Sequence, residues 1–420
     1  MARPRTSPEL IGDVVGEILL RIPPDESAYL ARASRVCKLW RRILSDPDFT
    51  RRYREFHPTP PLLGFFHNHY PDGDRRFIPT MAACPFTQSA VDCSRLLTLD
   101  DRRRLWAVDC RHGRVLLRHR DTRNLVVWDP ITGGREELLG PHAAPTSLHN
   151  SMMVLCAAAS CDHRNCHGGP FLLVFVCNQG NSVHGCVYSS KAGAWGTPVS
   201  VNIGNGGYYV SANSAGHAKR GALVRDNAYF ALRKIAFRGH EEFTTHNANP
   251  NKILKYDLGK NFLSVIDVEP ALDTCIRDAF VMPMEDGSLG FAGIRDSGLY
   301  IWRRTVRRWG DARWVPCRVV DLEKLLPSNI SCNQATVVGF AEGVGVAFVR
   351  INNSSIFMIE LKSEQIRKVT ELGLLYTVLP FMSFYTPAGT VRGHHHIFSL
   401  PLCLYLRYVD IWFNGNKRYL

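Results

Sequence analysis

The amino-acid sequence predicts an α+β multidomain chain, with a small all-α module over residues 7–57 and an all-β region from Leu62 onward. Helical periodicity is dense in the first part and nearly vanishes after residue 57. From Leu62 onward, runs rich in β-branched and aromatic residues alternate with glycine, proline and Asp/Asn turns, which is typical of antiparallel strands. The proline-rich residues 58–61 form a short linker between the two parts.

An apolar stripe at four-residue spacing predicts the first helix. Its members are Leu10, Val14, Ile18 and Ile22. This spacing lines one face of an α-helix. Pro23 and Pro24 end the helix, because proline lacks the backbone N–H donor and its ring clashes with the preceding turn. Asp25 is a candidate N-cap for the next helix.

A second stripe predicts the helix after Asp25. Its members, at three- and four-residue spacing, are Leu30, Ala33, Cys37, Trp40 and Leu44. A third helix is predicted where Asp46 precedes Pro47, because a capping Asp followed by proline at the first helical position is a typical start. So few residues bury little surface on their own. We therefore expect the module to pack against another surface.

A recurring strand–turn–strand unit predicts the architecture after Leu62. Its five copies are VVWDPITGGREEL, CVYSSKAGAWGTPV, ILKYDLGKNFLSV, LYIWRRTVRRWGDARWV and IFMIELKSEQIRKV, with turns entered at Asp129, Ser189, Asp257, Arg303 and Glu360. Most copies follow another strand pair, and four short antiparallel strands per repeat is the content of a propeller blade. The five copies and the strands between Leu62 and Trp106 predict six blades. A pair of β-sandwiches is the competing architecture.

The last strand-like run, LLYTVLPFMSFYTP, is predicted to close the ring by pairing beside strands from residues 62–105. A propeller must join its first and last blades to avoid a free edge. The propeller is therefore assigned to residues 62–388. Residues 389–420 have no counterpart among the repeats and are expected to form an atypical, poorly ordered tail.

Two sets of segments carry a family resemblance. The run EILLRIPPDE followed by RASRVCKLWRRILSDPDF resembles an F-box, especially the F-boxes of a large group of grass proteins. LGFAGIRDSGLYIW, RVVDLEKLLP, VVGFAEGVGVAFV and LPFMSFYTP resemble the F-box-associated β-propeller of the same plant family. The family usually has a Leu-Pro pair directly before the first helix, where this chain has Ser7, Pro8, Glu9 and Leu10.

The resemblance implies a function. In that family the F-box, here residues 7–57, docks on the Skp-type adaptor of a cullin–RING (SCF-type) E3 ubiquitin ligase, and the propeller binds a target protein. The chain would then be a non-catalytic substrate-recognition subunit without a cofactor. The residues implied to lie in or just behind the adaptor interface are Pro8, Leu10, Val14, Ile18, Leu19, Ile22, Pro23, Val36, Cys37 and Trp40.

Two other functions are weighed against this one. The net charge of +13 would suit a basic nucleic-acid-binding propeller. However, the arginines fall in doublets such as Arg303-Arg304, without an RNA-recognition signature or zinc-finger spacing. A kelch-like propeller enzyme would need carboxylates, histidines or metal ligands converging at the channel mouth. The sequence has no nucleophile elbow, P-loop or glycine-rich dinucleotide turn.

Composition limits the class of protein and the cellular compartment in which it is expected. Hydrophobic residues at 45% and charged residues at 21% are typical of a globular protein. No run of about eighteen apolar residues predicts a membrane helix, and MARPRTSPEL lacks the apolar segment of a secretory signal. Thirteen cysteines without a framework spacing indicate reduced thiols, hence the cytoplasm, the nucleus or both.

One stretch, SCDHRNCHGG, is dense in metal-ligating side chains. Cys161, His163, Cys166 and His167 are the ligand types that zinc prefers. Their spacing matches no standard zinc finger, and no second ligand pair follows at a distance. The expectation is a solvent-facing loop without metal, and these four residues are the candidate ligand set.

Overall fold

The computed structural model describes residues 12–68, 75–81, 105–119, 121–141, 149–164, 166–205, 207–210, 220–234, 236–238, 241–243, 252–268, 277–306, 312–328, 330–332, 335–352, 355–371 and 378–385. The predicted tail, residues 389–420, lies outside the described residues. So do Pro8 and Leu10 of the predicted adaptor interface.

The N-terminal module consists of short helices. They are α1 Gly12–Leu20, a 3₁₀ turn Pro24–Glu26, α2 Ser27–Ala33, α3 Lys38–Ser45 and α4 Pro47–Phe56. The predicted start of the last helix is confirmed, because the Asp46 carboxylate accepts a hydrogen bond from the Asp48 N–H at 2.9 Å and Pro47 follows the cap. Among the described residues, no helix has the length and apolar character that crossing a membrane requires.

Two details of the predicted helices are wrong. The second stripe belongs to two helices, because α2 ends at Ala33 and Cys37 adopts an extended conformation before α3. The Ser34 hydroxyl donates to the Ala31 carbonyl at 2.8 Å, a local bond that competes with helix continuation. The N-cap of α2 is Glu26, without a side-chain cap bond, while Asp25 lies in the 3₁₀ turn.

In the described part of the all-β region, six antiparallel sheets of three to five strands form the blades of a β-propeller, and a two-stranded hairpin forms a seventh sheet. Blade 1 contains β1 Leu62–Asn68, β2 Arg75–Pro79 and β27 Leu379–Met382. Blade 2 contains β3 Leu105–Arg111, β4 Arg114–His119, β5 Asn124–Trp128 and β6 Arg135–Leu139. Blade 3 contains β7 Asn150–Cys156, β8 Phe171–Gln179, β9 Ser182–Ser189, β10 Ala194–Trp195 and β11 Val199–Asn202.

The remaining blades follow in chain order. Blade 4 contains β12 Tyr208–Val210, β13 Ala222–Val224, β14 Asn227–Lys234, β17 Lys252–Asp257 and β18 Phe262–Asp267. A separate hairpin, β15 Ala236–Arg238 and β16 Glu241–Phe243, interrupts it. Blade 5 contains β19 Arg277–Pro283, β20 Leu289–Arg295, β21 Gly298–Val306 and β22 Ala312–Asp321, and α5 is Leu322–Leu325. Blade 6 contains β23 Thr336–Ala341, β24 Val346–Ile351, β25 Ser355–Glu360 and β26 Gln365–Glu371.

The predicted repeats are confirmed as the outer hairpins of five blades. Four of the predicted turn-entry residues end a strand or directly follow one. The exception is Arg303, which lies inside β21, because β21 and β22 stay paired as far as Val306 and Ala312.

The closing strand pairs as predicted. β27 lies antiparallel to β1, with Leu62 opposite Met382 and Phe66 opposite Leu379. β2 pairs with the other edge of β1, so blade 1 is assembled from both ends of the all-β region. The C-terminal strand thereby supplies the strand that blade 1 would otherwise lack.

The hydrophobic cores lie between neighbouring blades. Phe66 faces blade 2, where it packs with Phe77, Trp128 and Phe381, whereas the adjacent Phe65 faces blade 6 and packs against Phe348. Successive residues of a strand point to opposite faces of the sheet. Further cores join blades 2 and 3, 3 and 4, 4 and 5, and 5 and 6. The ring is therefore closed, and the alternative of two β-sandwiches is wrong.

We expect Phe381→Ala to destabilise the propeller by about 3–5 kcal/mol, the usual cost of truncating a buried Phe. Phe381 is fully buried on the closing strand and packs edge-on against Phe66 and Phe77. Chemical denaturation followed by circular dichroism measures the loss. Phe262→Ala, at a largely exposed phenylalanine of blade 4, is the matched control. Equal stability of the two variants would contradict a closing role for β27.

Candidate functional site

The core of the helical module is built from one face of each helix. Leu19 and Leu20 of α1 pack with Leu30, Leu44 and Tyr53. Burial raises the pKa of Tyr53, and its hydroxyl donates to the Ile22 carbonyl at 2.8 Å. These contacts fix α1 and leave its other face toward solvent.

The exposed face of α1 carries two predicted interface residues. Val14 is 44% exposed and Ile18 is 40% exposed, one turn apart, while Leu19 is only 1% exposed. Leu19 therefore lies behind this surface and supports it from the core. The structure thus separates two neighbours that the sequence analysis had grouped.

The other predicted interface residues lie around the remaining helices. Val36, 58% exposed, and the exposed Cys37 lie in the turn between α2 and α3. Ile22, Pro23 and Trp40 are half-buried, and Ile22 and Trp40 pack against the core of the module. Two exposed aromatics of the module were not among the predicted interface residues, Phe56 at the end of α4 and Tyr29 on α2. Tyr29 directly precedes Leu30, which lies on the predicted apolar stripe. Because adjacent helical residues face different directions, this position could have indicated that Tyr29 is exposed.

The basic half of the module is largely solvent-facing. Arg35, Lys38 and Arg42 are exposed, and within the described part of the chain no ion pair engages them. By contrast, Arg51 and Arg52 of α4 pair with carboxylates of the module itself. An uncompensated positive patch therefore lies around the start of α3.

The helical module shares its core with the propeller. Phe384, two residues after the closing strand, is buried in the core of the module and lies edge-on to Tyr53 with ring centroids 6.2 Å apart. The Ser383 N–H donates to the Pro61 carbonyl at 3.3 Å. The expected packing of the module against a second surface is confirmed.

An ionic network lies where the blades meet, with Asp109, Arg111 and Arg220 buried and Glu342 partly exposed. Asp109 contacts Arg111 of the same strand at 3.4 Å and Arg220 of blade 4 at 3.0 Å. Arg111 also lies 2.9 Å from Glu342, at the end of the first strand of blade 6. Blades 2, 4 and 6 are not neighbours, so side chains from all three meet only near the axis of the ring. The partners are 111 and 231 residues apart, and no local signal in the sequence indicates the network.

Burial would raise the pKa of Glu342, but the guanidinium groups of Arg111 and Arg220 outweigh it and lower the pKa to about 2. Both carboxylates at the axis are thus held by arginines, and the Asp109 carboxylate also accepts from the Val154 N–H at 2.9 Å.

The metal-ligand candidates regroup in the loop between β7 and β8. Side-chain ligand atoms of Cys156, Cys161, His163 and Cys166 all lie within 4.8 Å of one another. The structure replaces His167 of the predicted set with Cys156. His167 instead reaches Asp129 of blade 2, with its Nδ1 2.6 Å from the carboxylate. Burial would raise the pKa of Asp129, but the bond to His167 leaves it lowered.

A histidine of blade 2 supports this loop. His112 stacks on His163 with ring centroids 3.9 Å apart, and its Nδ1 accepts from the Cys156 N–H at 3.1 Å. Burial, and next the neighbouring His163, lowers the pKa of His112 to about 3. The ring is therefore neutral at physiological pH, as an accepting Nδ1 requires.

We expect Glu342→Gln to lower the melting temperature at pH 7, because it leaves the Arg111 and Arg220 charges without one of their carboxylates. A group whose folded-state pKa is depressed stabilises the fold above its unfolded pKa of about 4.5, and this contribution is lost as pH falls toward about 2. The difference in melting temperature between wild type and Glu342→Gln should therefore become smaller below about pH 5.

Melting curves between pH 7 and pH 3 test this expectation. Glu364→Gln, which breaks an exposed pair with Arg318, is the control and should have little effect at any pH. If the melting temperatures of wild type and Glu342→Gln differ by the same amount from pH 7 to pH 3, the pKa of Glu342 is not lowered in the way expected here.

Comparisons with known proteins agree with the helical module. Residues 10–52 match the family model of the F-box domain. A search of curated proteins found no matching relative. Two solved structures show a distant likeness. A luciferin-regenerating enzyme is 9% identical, with a TM-score of 0.35, over 66% of this chain and 76% of that one. The PQQ-bound aldose sugar dehydrogenase from Streptomyces coelicolor is 16% identical, with a TM-score of 0.36, over 66% and 85%.

At such TM-scores neither likeness supports a function, and the fold rests on the strand pairing of the chain itself. The family match and the sheet order together establish the organisation. The chain carries an F-box domain at its N-terminus, followed by a six-bladed β-propeller.

Proposed function

We propose that this chain is the substrate-recognition subunit of a cullin–RING (SCF-type) E3 ubiquitin ligase. The observation that carries the proposal is the F-box domain at residues 10–52. Its α1 helix holds an exposed Val14–Ile18 pair above a fully packed core. F-box domains bind Skp-type adaptors, and through the adaptor this chain would join the ligase.

The surface chemistry of the module supports adaptor binding. Scattered exposed apolar residues are normal on a protein surface, but Val14 and Ile18 share one helix face within the F-box itself. Val14 and Ile18 are 44% and 40% exposed, so burying the rest of each in a partner would contribute less than half of the about 1.5–3 kcal/mol that complete burial contributes. The positive patch around Arg35, Lys38 and Arg42 favours an acidic partner and would speed association with it.

The propeller is proposed to present its loops to a target protein without performing chemistry itself. Because Phe384 links the ring to the F-box core, the bound target would be held at a fixed position relative to the adaptor. This arrangement raises the effective concentration of target lysines near the loaded conjugating enzyme, which is a proximity effect. The nine described cysteines are all unpaired, which favours the cytoplasm or the nucleus.

We expect Ile18→Asp to weaken adaptor binding about tenfold or more, because it places a charge at an interface that would bury an aliphatic side chain. The partly exposed position of Ile18 lets the F-box stay folded. Pull-down and titration with a purified Skp-type adaptor measure the loss, and circular dichroism checks the fold. Val306→Asp, at an exposed aliphatic residue of blade 5, is the matched control.

A second variant separates the surface from the core. Leu19→Ala truncates a buried side chain of the F-box core, at a cost of about 2–5 kcal/mol in stability. It should lose adaptor binding together with thermal stability, whereas Ile18→Asp should lose binding alone. Undiminished binding by Ile18→Asp would overturn the proposed interface.

The Ile18→Asp variant can also be used to identify the target protein. Removing the F-box outright would expose Phe384, so the full-length variant is the better comparison. Affinity purification of both proteins, followed by mass spectrometry, should show ligase components lost and target candidates retained. Recovery of nucleic acid in place of a protein, lost as salt increases, would instead favour the basic nucleic-acid-binding alternative.

A further inference from the structure

We propose that Cys156, Cys161, His163 and Cys166 hold a structural zinc ion in the loop between β7 and β8 of blade 3. The inference does not depend on the ligase function. It rests on the distances within the cluster, on its ligand chemistry and on the groups packed around it.

The distances within the cluster suit a tetrahedral metal. The Cys161 and Cys166 sulfur atoms lie 3.7 Å apart, and the Cys166 sulfur lies 3.6 Å from Nδ1 of His163. Zinc bonds of about 2.3 Å to sulfur and about 2.0 Å to nitrogen place two sulfurs roughly 3.8 Å apart, and a sulfur and a nitrogen roughly 3.5 Å apart. These two observed separations match those of ligands around one ion, and the other ligand atoms lie within 4.8 Å of one another.

The chemistry of the four ligands indicates which metal the site would bind and whether that metal would be structural or catalytic. Three thiols and one imidazole are soft and borderline ligands, which favour zinc over calcium or magnesium. With four protein ligands, a tetrahedral ion has no open position for water or substrate. The site is therefore suited to hold structure and not to perform catalysis.

The four ligands lie in two parts of the backbone, the end of a strand and the loop that follows it. Cys156 ends β7, where pairing with Phe171 of β8 fixes its position. The other three ligands lie in the connecting loop. His163 has a φ of 60° in this loop, and Ser160 has a φ of 52°. Such values are uncommon for residues other than glycine and persist where the surroundings hold them. A metal bond from the His163 side chain would supply that restraint.

The groups around the cluster suit a site with three thiolates and a net negative charge. The Ala158 N–H points at the Cys156 sulfur at 3.5 Å. The buried guanidinium of Arg114 donates to the carbonyls of Cys166 and Gly169, placing a positive charge beside the loop. Metal sites are oriented by such secondary contacts. The stacked ring of His112 holds the His163 imidazole in place from blade 2.

The loop connects three blades. His167, directly after the ligand Cys166, contacts Asp129 of blade 2 and lies 3.3 Å from the Ser383 hydroxyl beyond the closing strand. Ser383 directly precedes Phe384, which is buried in the F-box core. Zinc in the loop would thus restrict the motion of His167. Through His167 it would stabilise the contacts of blade 3 with blade 2 and with the segment that closes the ring and enters the F-box core.

Metal analysis of the full-length protein, purified without a metal-affinity tag, tests the proposal. We expect about one zinc ion per chain. His163→Ala and Cys161→Ser should each lower zinc retention about tenfold or more after dialysis against a chelator. His167→Ala and Cys317→Ser are the matched controls and should retain the ion, because one histidine lies beside the cluster and one cysteine is exposed elsewhere.

Cobalt alone provides the spectroscopic test. Co²⁺ added to the metal-stripped protein should give the visible absorption of a tetrahedral thiolate site, which His163→Ala should lose and His167→Ala should keep. Chelation should lower the melting temperature of the wild type and leave that of His163→Ala unchanged. His163 is exposed, so this variant remains decisive if Cys161→Ser fails to fold.

Three results would overturn the proposal. The first is protein without zinc that also fails to develop the cobalt spectrum. The second is equal zinc retention by His163→Ala and His167→Ala. The third is copper or iron at unit stoichiometry in place of zinc.

Discussion

The pairing of β27 with β1 is the contact on which the rest of the structure depends. It completes blade 1 with a strand from the far end of the ring and covers a strand edge that would otherwise be open. The same segment continues into Ser383 and Phe384, which contact the linker and the F-box core. One short stretch of chain therefore closes the propeller and also fixes the F-box on it.

Inside the ring, the ionic network around Asp109 gives the blades a second point of contact. Buried ion pairs contribute little net stability, because desolvation offsets most of their attraction. Their geometry is nevertheless specific, since Arg111 and Arg220 bring together groups from blades 2, 4 and 6. We interpret the network as setting the relative placement of the blades, while the apolar cores between them supply the stability.

These constraints bear directly on the proposed function. A receptor that acts by proximity depends on a fixed distance between its two binding surfaces. Here the F-box and the ring share a core at Phe384, and the β7–β8 loop approaches that junction through His167. The proposed zinc ion would add stiffness at the same place. In the proposed mechanism, a stiff junction would hold the adaptor-binding surface and the target-binding surface at a fixed separation.

Local sequence determined the features that short-range chemistry decides. The Asp46–Pro47 helix start and four of the five hairpin turns were predicted correctly, because capping and turn formation involve residues a few positions apart. Tertiary structure alone decided the rest. Cys156 joins the group of candidate metal ligands in place of His167, because strand pairing brings it there. Ile18 stays partly exposed while its neighbour Leu19 becomes buried once the core of the module forms. Glu342 meets Arg111 only when the ring closes, since contacts between distant residues depend on the assembled fold.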